Sequence, residues 1–283
     1  MTIESTLRDC PPDTLIGARN MAHRAVQPPT RAARANIAAV PDASHTNMIW
    51  DDARGAFLSN PMTSGGDEIV VGLVLSNLTL VVVRAEATLA VLGLSGVSVE
   101  DADVWLDSQL VKLGFKPATS VIHPYEIPTA VTDITIYSSD GLQSGLAALA
   151  GWFRLTDHVL RAFAANNRDI KPGPSPVRCW PHHFDIATYV ALEGGDGESA
   201  RGIGVGLSPG DEGYEQPYFY VNPWPHLDPN DLPELPGLGH WHRDGFVGAI
   251  LTGDELLPAA DLTEGTAGFI AEAFAIGRGK LGL

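Results

Sequence analysis

The chain has 283 residues and a formal net charge of -16, with 45% hydrophobic and 18% charged residues, so it is too apolar for general disorder and too acidic for nucleic acid or anionic lipid. It is long enough to bury a core without staples; Cys10 and Cys179 match neither a metal spacing nor a disulfide framework. No apolar run reaches the roughly 18 residues of a membrane span, and no signal-peptide core is present, so a cytoplasmic protein is expected.

The segment from Thr14 to Ala39 reads as helix on its Ala and Arg content, and Pro28-Pro29 must divide it into two. Strands follow at Thr46 to Trp50, Ile69 to Leu75, Leu78 to Val83 and Thr88 to Leu94, with Ser76-Asn77 as a hairpin turn. Ser98 caps a helix with Asp101 answering from the third position; Ala102, Trp105, Leu106, Leu110 and Leu113 form its apolar face, and Gly114 closes it. His123 to Pro128 is a Pro-rich join, with His123 and Glu126 as either linker or outlying site groups. From Leu142 to Asn166 a helix places Leu142, Leu146, Leu149, Phe153, Leu160 and Phe163 on one face and His158 on the other. A last helix, capped by Asp261 with Glu264, is expected to end at Gly277.

The two halves correspond in order. His45 to Ile49 matches His183 to Ala187, Val71 to Ser76 matches Ile203 to Ser208, each is followed by a further strand (Tyr218 to Asn222 in the second half), and both closing helices run sixteen residues from cap to glycine. The expected fold is therefore α+β, two diverged copies of a helix, four mostly antiparallel strands and a helix. The expected division is 1–40 helical, 41–128 first copy and 129–283 helix plus second copy.

Duplication supplies a control, because polarity present in only one copy exceeds what folding needs. The largest departure is Gly239-His240-Trp241-His242, opposite the apolar Thr88 to Leu94. If His240 to Ile250 is a strand, His240 and His242 share a face; the same alternation joins His183 to Asp185. Were those strands adjacent, three imidazoles and a carboxylate would converge, a set that suits a divalent transition metal such as Zn, Fe or Mn. A metal-free pocket and purely structural use stand beside that reading. Tyr218, Tyr220, Trp224 and Trp241 would form walls, Glu212 and His182 would transfer protons, and Arg201 or Arg243 would balance an anionic ligand.

In Arg201-Gly202-Ile203-Gly204-Val205-Gly206-Leu207 alternate glycines strip one strand face of side chains, leaving room for a flat ligand or for neighbouring rings. The series lacks the spacing of a dinucleotide fingerprint. Cys179 and Ser208 lack the setting of nucleophiles, and His23 and His226 join no constellation.

The runs Arg178-Cys179-Trp180-Pro181-His182-His183-Phe184-Asp185-Ile186-Ala187, Gly206 to Glu212 and Gln216-Pro217-Tyr218-Phe219-Tyr220 resemble an uncharacterised bacterial family classed as a domain of unknown function. The likeness spans most of the chain and implies the helix-and-strand layout, with no activity to carry over. The function expected from the residues is small-molecule binding in the second half, with a metal-dependent enzyme as one form of it. The rival is a protein-interaction surface built on the same aromatics.

Overall fold

In the computed structural model, which describes residues 3–193 and 200–282, the order is α1 (Ile3–Arg8), α2 (Ile16–Ala25), α3 (Gln27–Asn36), β1 (Met48–Asp51), β2 (Ala56–Ser59), β3 (Met62–Ser64), β4 (Asp67–Val74), β5 (Thr79–Arg84), β6 (Ala87–Gly93), α4 (Val99–Lys112), α5 (Thr129–Thr132) and α6 (Gln143–Asn166). There follow β7 (Gly173–Pro174), β8 (Arg178–Trp180), β9 (Asp185–Ala191), β10 (Gly202–Ser208), β11 (Tyr218–Trp224), β12 (His240–His242), β13 (Gly248–Thr252), α7 (Gly253–Leu256) and α8 (Leu262–Lys280). The class is α+β with antiparallel sheet throughout, and among the described residues no helix is long and apolar enough to cross a membrane.

The chain divides into two units. The N-terminal unit comprises Leu15–Ala150 and Cys179–Phe184; the C-terminal unit comprises Met1–Thr14, Gly151–Arg178 and Asp185–Leu283. The boundaries thus differ from a separate helical segment over 1–40 followed by two consecutive copies. The first residues belong with the end of the chain, and one short piece of the second half belongs with the first.

In the N-terminal unit the break between α2 and α3 falls at Val26, so that Pro28 and Pro29 occupy the first turn of α3, where a missing N–H removes no helical bond. The sheet runs β1-β2-β4-β5-β6, with β3 pairing β4. Five strands stand in the meander where four were expected, because the short Ala56–Ser59 escapes pattern reading; its place is fixed by pairing Phe57 with Trp50 and with Leu73. Ile69, Val71 and Val82 bury one sheet face with Leu106 and Leu110 of α4 and Ala32 of α3. The Ser98 side chain caps α4 by accepting from the Asp101 N–H at 3.0 Å, as the sequence leads one to expect.

The segment Cys179–Phe184 is locked into this unit by its backbone. The Pro181 carbonyl accepts from His23 Nε2 and Gln27 Nε2, both at 2.9 Å, while the Phe184 N–H donates to the Trp180 carbonyl at 2.7 Å. This tight turn leaves Phe184 at φ +60, which costs a side-chain-bearing residue about 1–3 kcal/mol. Complete burial of its ring offsets that cost: it stacks on His23 (centroids 5.2 Å, 9°) and meets Phe57 edge-on.

In the C-terminal unit β9, β10 and β11 are antiparallel neighbours, β13 pairs β11, and β12 lies outside β13; β7 pairs the other side of β9. The single strand expected over His240 to Ile250 is instead a hairpin with His242 opposite Gly248, since Gly245 at φ +85 supplies the turn. Ile203, Val205, Leu207, Phe219, Val221, Ala249 and Leu251 form the buried sheet face. Trp152 of α6 covers it at Phe219, and α8 approaches closely through Gly277, where a Cβ would stand 3.0 Å from Pro223 and 3.1 Å from Ile203. Gly277 therefore serves packing rather than termination, and α8 continues to Lys280.

Burial is the chief force pushing His23 from 6.5 down to about 4, partly opposed by its bond to Pro181. Between those values the unfolded chain binds a proton that the folded chain refuses, so stability is full above pH 6.5 and falls as pH drops toward 4. Urea unfolding at pH 7 and pH 4 is expected to show a drop that is smaller in His23→Gln, by on the order of 3 kcal/mol. Equal drops in the two proteins would contradict this.

Candidate functional site

Strand register sorts the side chains of the C-terminal unit. Ala187, Gly206, Tyr220, Ile250 and His240 form one row across β9-β10-β11-β13-β12, with Asp185, Ser208, Tyr218 and Thr252 in a parallel row beside it. Directly paired residues project to the same face, so Asp185, Tyr218, Tyr220, Trp224, His240 and His242 share the face opposite the α8 contact. His240 and His242 do share a face, but His183 stands in the turn before β9 and belongs to the other unit, so alternation does not join it to Asp185, and adjacency fails as well. Three strands separate β9 from β12, which puts Asp185 roughly 19 Å, four strand steps, from the histidine pair. Trp241 projects to the other side, its Nε1 donating to the Pro233 carbonyl at 2.8 Å, and leaves the group of walls.

Around Asp185 the face is closed by rings. Tyr220 is paired with Gly206, and its ring lies over that glycine so that the hydroxyl donates to Asp185 Oδ2 at 2.6 Å. A Cβ on Gly206 would stand 2.6 Å from the Tyr220 hydroxyl and 2.7 Å from the Ile186 carbonyl. Tyr189 covers Gly202 in the same manner. The glycine stripe is thus filled from within, the second of the two uses its sequence allowed. Tyr218, 8% exposed, donates to Asp211. Burial, Asp211 and the Asp185 charge push its phenol up, and it stays protonated.

At the β12 end the arrangement is different. The Tyr214 hydroxyl lies 3.2 Å from His240 Nε2 and 2.9 Å from His242 Nδ1, while His240 Nδ1 meets Glu255 Oε1 at 2.9 Å and His242 Nε2 donates to the Asp244 carbonyl. Glu255 is fixed by a capping box: its Oε2 accepts from the Thr252 N–H and hydroxyl, both at 2.9 Å, at the start of α7. Burial pushes the Glu255 carboxyl up, but the bonds from Thr252 and His240 outweigh it and hold the group below its ordinary range. Burial, with Glu255 and Asp211 adding to it, raises the Tyr214 phenol.

The Tyr214 hydroxyl carries one proton and two lone pairs, so it can donate to one ring nitrogen and accept from the other, which links the two imidazoles through a single oxygen. The His240 side chain is 43% exposed and that of Glu255 37%, so the relay faces outward while its geometry is held from beneath.

The remaining expected residues lie elsewhere. Arg201 pairs with Glu193 and donates to the Leu281 carbonyl, Glu212 is exposed in the loop between β10 and β11, and Trp224 is 40% exposed, edge-on to His226. His182 and His183 belong to the N-terminal unit, their rings 4.1 Å apart, His183 exposed and His182 pushed down to about 4 by burial and the neighbouring imidazole. Among the described residues no group of three or more His, Cys, Asp or Glu is arranged to hold a metal ion. Tyr214 and Glu255 were missed as site residues, although Thr252-Gly253-Asp254-Glu255 carries a capping-box signature that announces where Glu255 points.

Comparison with family models, with curated proteins and with solved structures finds no match to the chain.

Close ring cover makes the glycines unequal. Gly204→Ala, with nothing nearer than 3.8 Å to the new Cβ, is expected to stay within about 1 kcal/mol of the parent, whereas Gly206→Ala should lose about 1–3 kcal/mol in urea unfolding. Similar losses for both would contradict the ring-over-glycine packing.

Proposed function

We propose that the chain binds a small molecule at the Tyr214, His240 and His242 corner of the C-terminal unit, where the Glu255-His240-Tyr214 relay moves a proton to or from it. The observation that supports this is a phenolic hydroxyl held between two imidazoles, one of them oriented by a carboxylate that a capping box immobilises. Carboxylate, imidazole and hydroxyl in series is the arrangement by which a base is oriented and a hydroxyl proton accepted. A network serving stability alone gains nothing from facing outward.

Ligand-observed NMR of a fragment library against the full chain tests the reading. Compounds that bind the parent should lose affinity by tenfold or more in Tyr214→Phe and His240→Ala and keep it in Glu212→Ala. Hits that bind all four proteins alike would refute it.

A second reading rests on Tyr189 and Trp224, each 40% exposed at the other end of the same face. Such exposed rings suit docking of another protein chain; a sedimentation profile that is monomeric and identical for parent and Trp224→Ala would remove the self-association form of it. We also read the two units as diverged copies of one plan, helix, antiparallel sheet and closing helix. An experimental structure with α4 and α8 on non-equivalent faces of their sheets would contradict that.

A further inference from the structure

Val159 and Phe163 of α6, and Ile270 and Phe274 of α8, are each four residues apart, the spacing that sets side chains on one helix face. The two faces meet where the Phe163 and Phe274 rings stand edge to face, centroids 4.9 Å apart. These four residues, none more than 9% exposed, floor a groove of about 380 Å³, and everything that lines it belongs to the C-terminal unit. At its rim stand exposed alanines, Ala162 on α6 and Ala267, Ala271 and Ala275 on α8. Methyl groups are too short to close over the floor, so an apolar trough faces outward there.

The charge of the groove differs from that of the chain. Acidic residues outnumber basic ones by 34 to 18, yet among the described residues no aspartate or glutamate lines the groove, and Arg278 does. The Arg278 guanidinium lies over the Phe274 ring, 5.9 Å from its centroid, which holds it against the wall, and its Nε is buried without a hydrogen-bond partner. Lys280, two residues on, pairs with Asp231 at 2.8 Å, whereas among the described residues Arg278 forms no ion pair. Thr263, Asn166 and Asn167 add hydroxyl and amide groups and, with His158, complete the polar lining.

A groove of this volume lies within the roughly 300–1,000 Å³ of small-molecule sites, which are mostly apolar with a few polar groups that fix orientation. One guanidinium matches one carboxylate through two parallel N–H donors, while a dianionic phosphate would leave half its charge uncompensated. We infer that the α6–α8 groove binds a medium-chain carboxylic acid, its hydrocarbon chain on Val159, Phe163, Ile270 and Phe274 and its carboxylate on Arg278.

Isothermal titration calorimetry of the full chain with decanoate, octanoate, 1-decanol and decylammonium, all below micelle-forming concentrations, tests this. Decanoate should bind one to one, octanoate about tenfold more weakly for two fewer buried methylenes, and decylammonium at least about tenfold more weakly than decanoate. Arg278→Gln should cost decanoate about tenfold and leave 1-decanol unchanged, a split that misfolding would not produce, and Arg278→Lys should fall between the two. Ala271→Phe, which fills the groove from its exposed rim, should abolish binding of both and gives an independent test if Arg278→Gln does not fold. Tyr214→Phe should leave decanoate binding unchanged, which separates this site from the Tyr214 corner. Decanoate that does not bind, that binds no better than decylammonium or 1-decanol, or that binds Arg278→Gln and Ala271→Phe like the parent overturns the inference.

Discussion

Tyr220 reaches Asp185 only because Gly206 has no side chain. That single omission brings a phenol on β11 across β10 to a carboxylate on β9, closes the middle of the sheet face, and accounts for glycines that would otherwise weaken a central strand. With Asp185 engaged there and Tyr218 turned to Asp211, the polar face is sorted into a closed centre at β9–β11 and an outward-facing one at β12. At the second, Tyr214, His240, His242 and Glu255 meet one another in half-exposed positions.

The N-terminal unit solves the opposite problem. Its Pro181 carbonyl is satisfied by two buried donors, His23 and Gln27, and the left-handed Phe184 is held by ring packing on both sides. Gln27 then turns its own carbonyl oxygen to Tyr125. One glutamine on α3 thus connects the turn carrying His182 and His183 to the segment carrying Tyr125, all within one unit.

Much of this was legible in the residues. Side-chain alternation placed His240 and His242 on one face but not His183 with Asp185, cap residues located α4 and the start of α8, and Pro28-Pro29 marked the division of the first helical stretch. Strand order was not legible, since it is set by which edge each connection reaches, and the return of β13 between β11 and β12 leaves no local pattern. Gly277 misled because close packing and helix termination both select glycine. Glu255 was passed over because a capping residue reads as structural, although its second oxygen is what orients His240. His23, which joined no motif, proved to be a ring-stacking and hydrogen-bonding partner of a backbone distant in sequence.

His240 and His242 are joined through the Tyr214 hydroxyl into one hydrogen-bonded network. Long-range proton–nitrogen NMR of the histidine rings, in the parent and in Tyr214→Phe, reads it directly. Both rings are expected to report hydrogen-bonded nitrogens and to change together on loss of the hydroxyl. Two independent imidazoles whose nitrogen shifts ignore the substitution would contradict it.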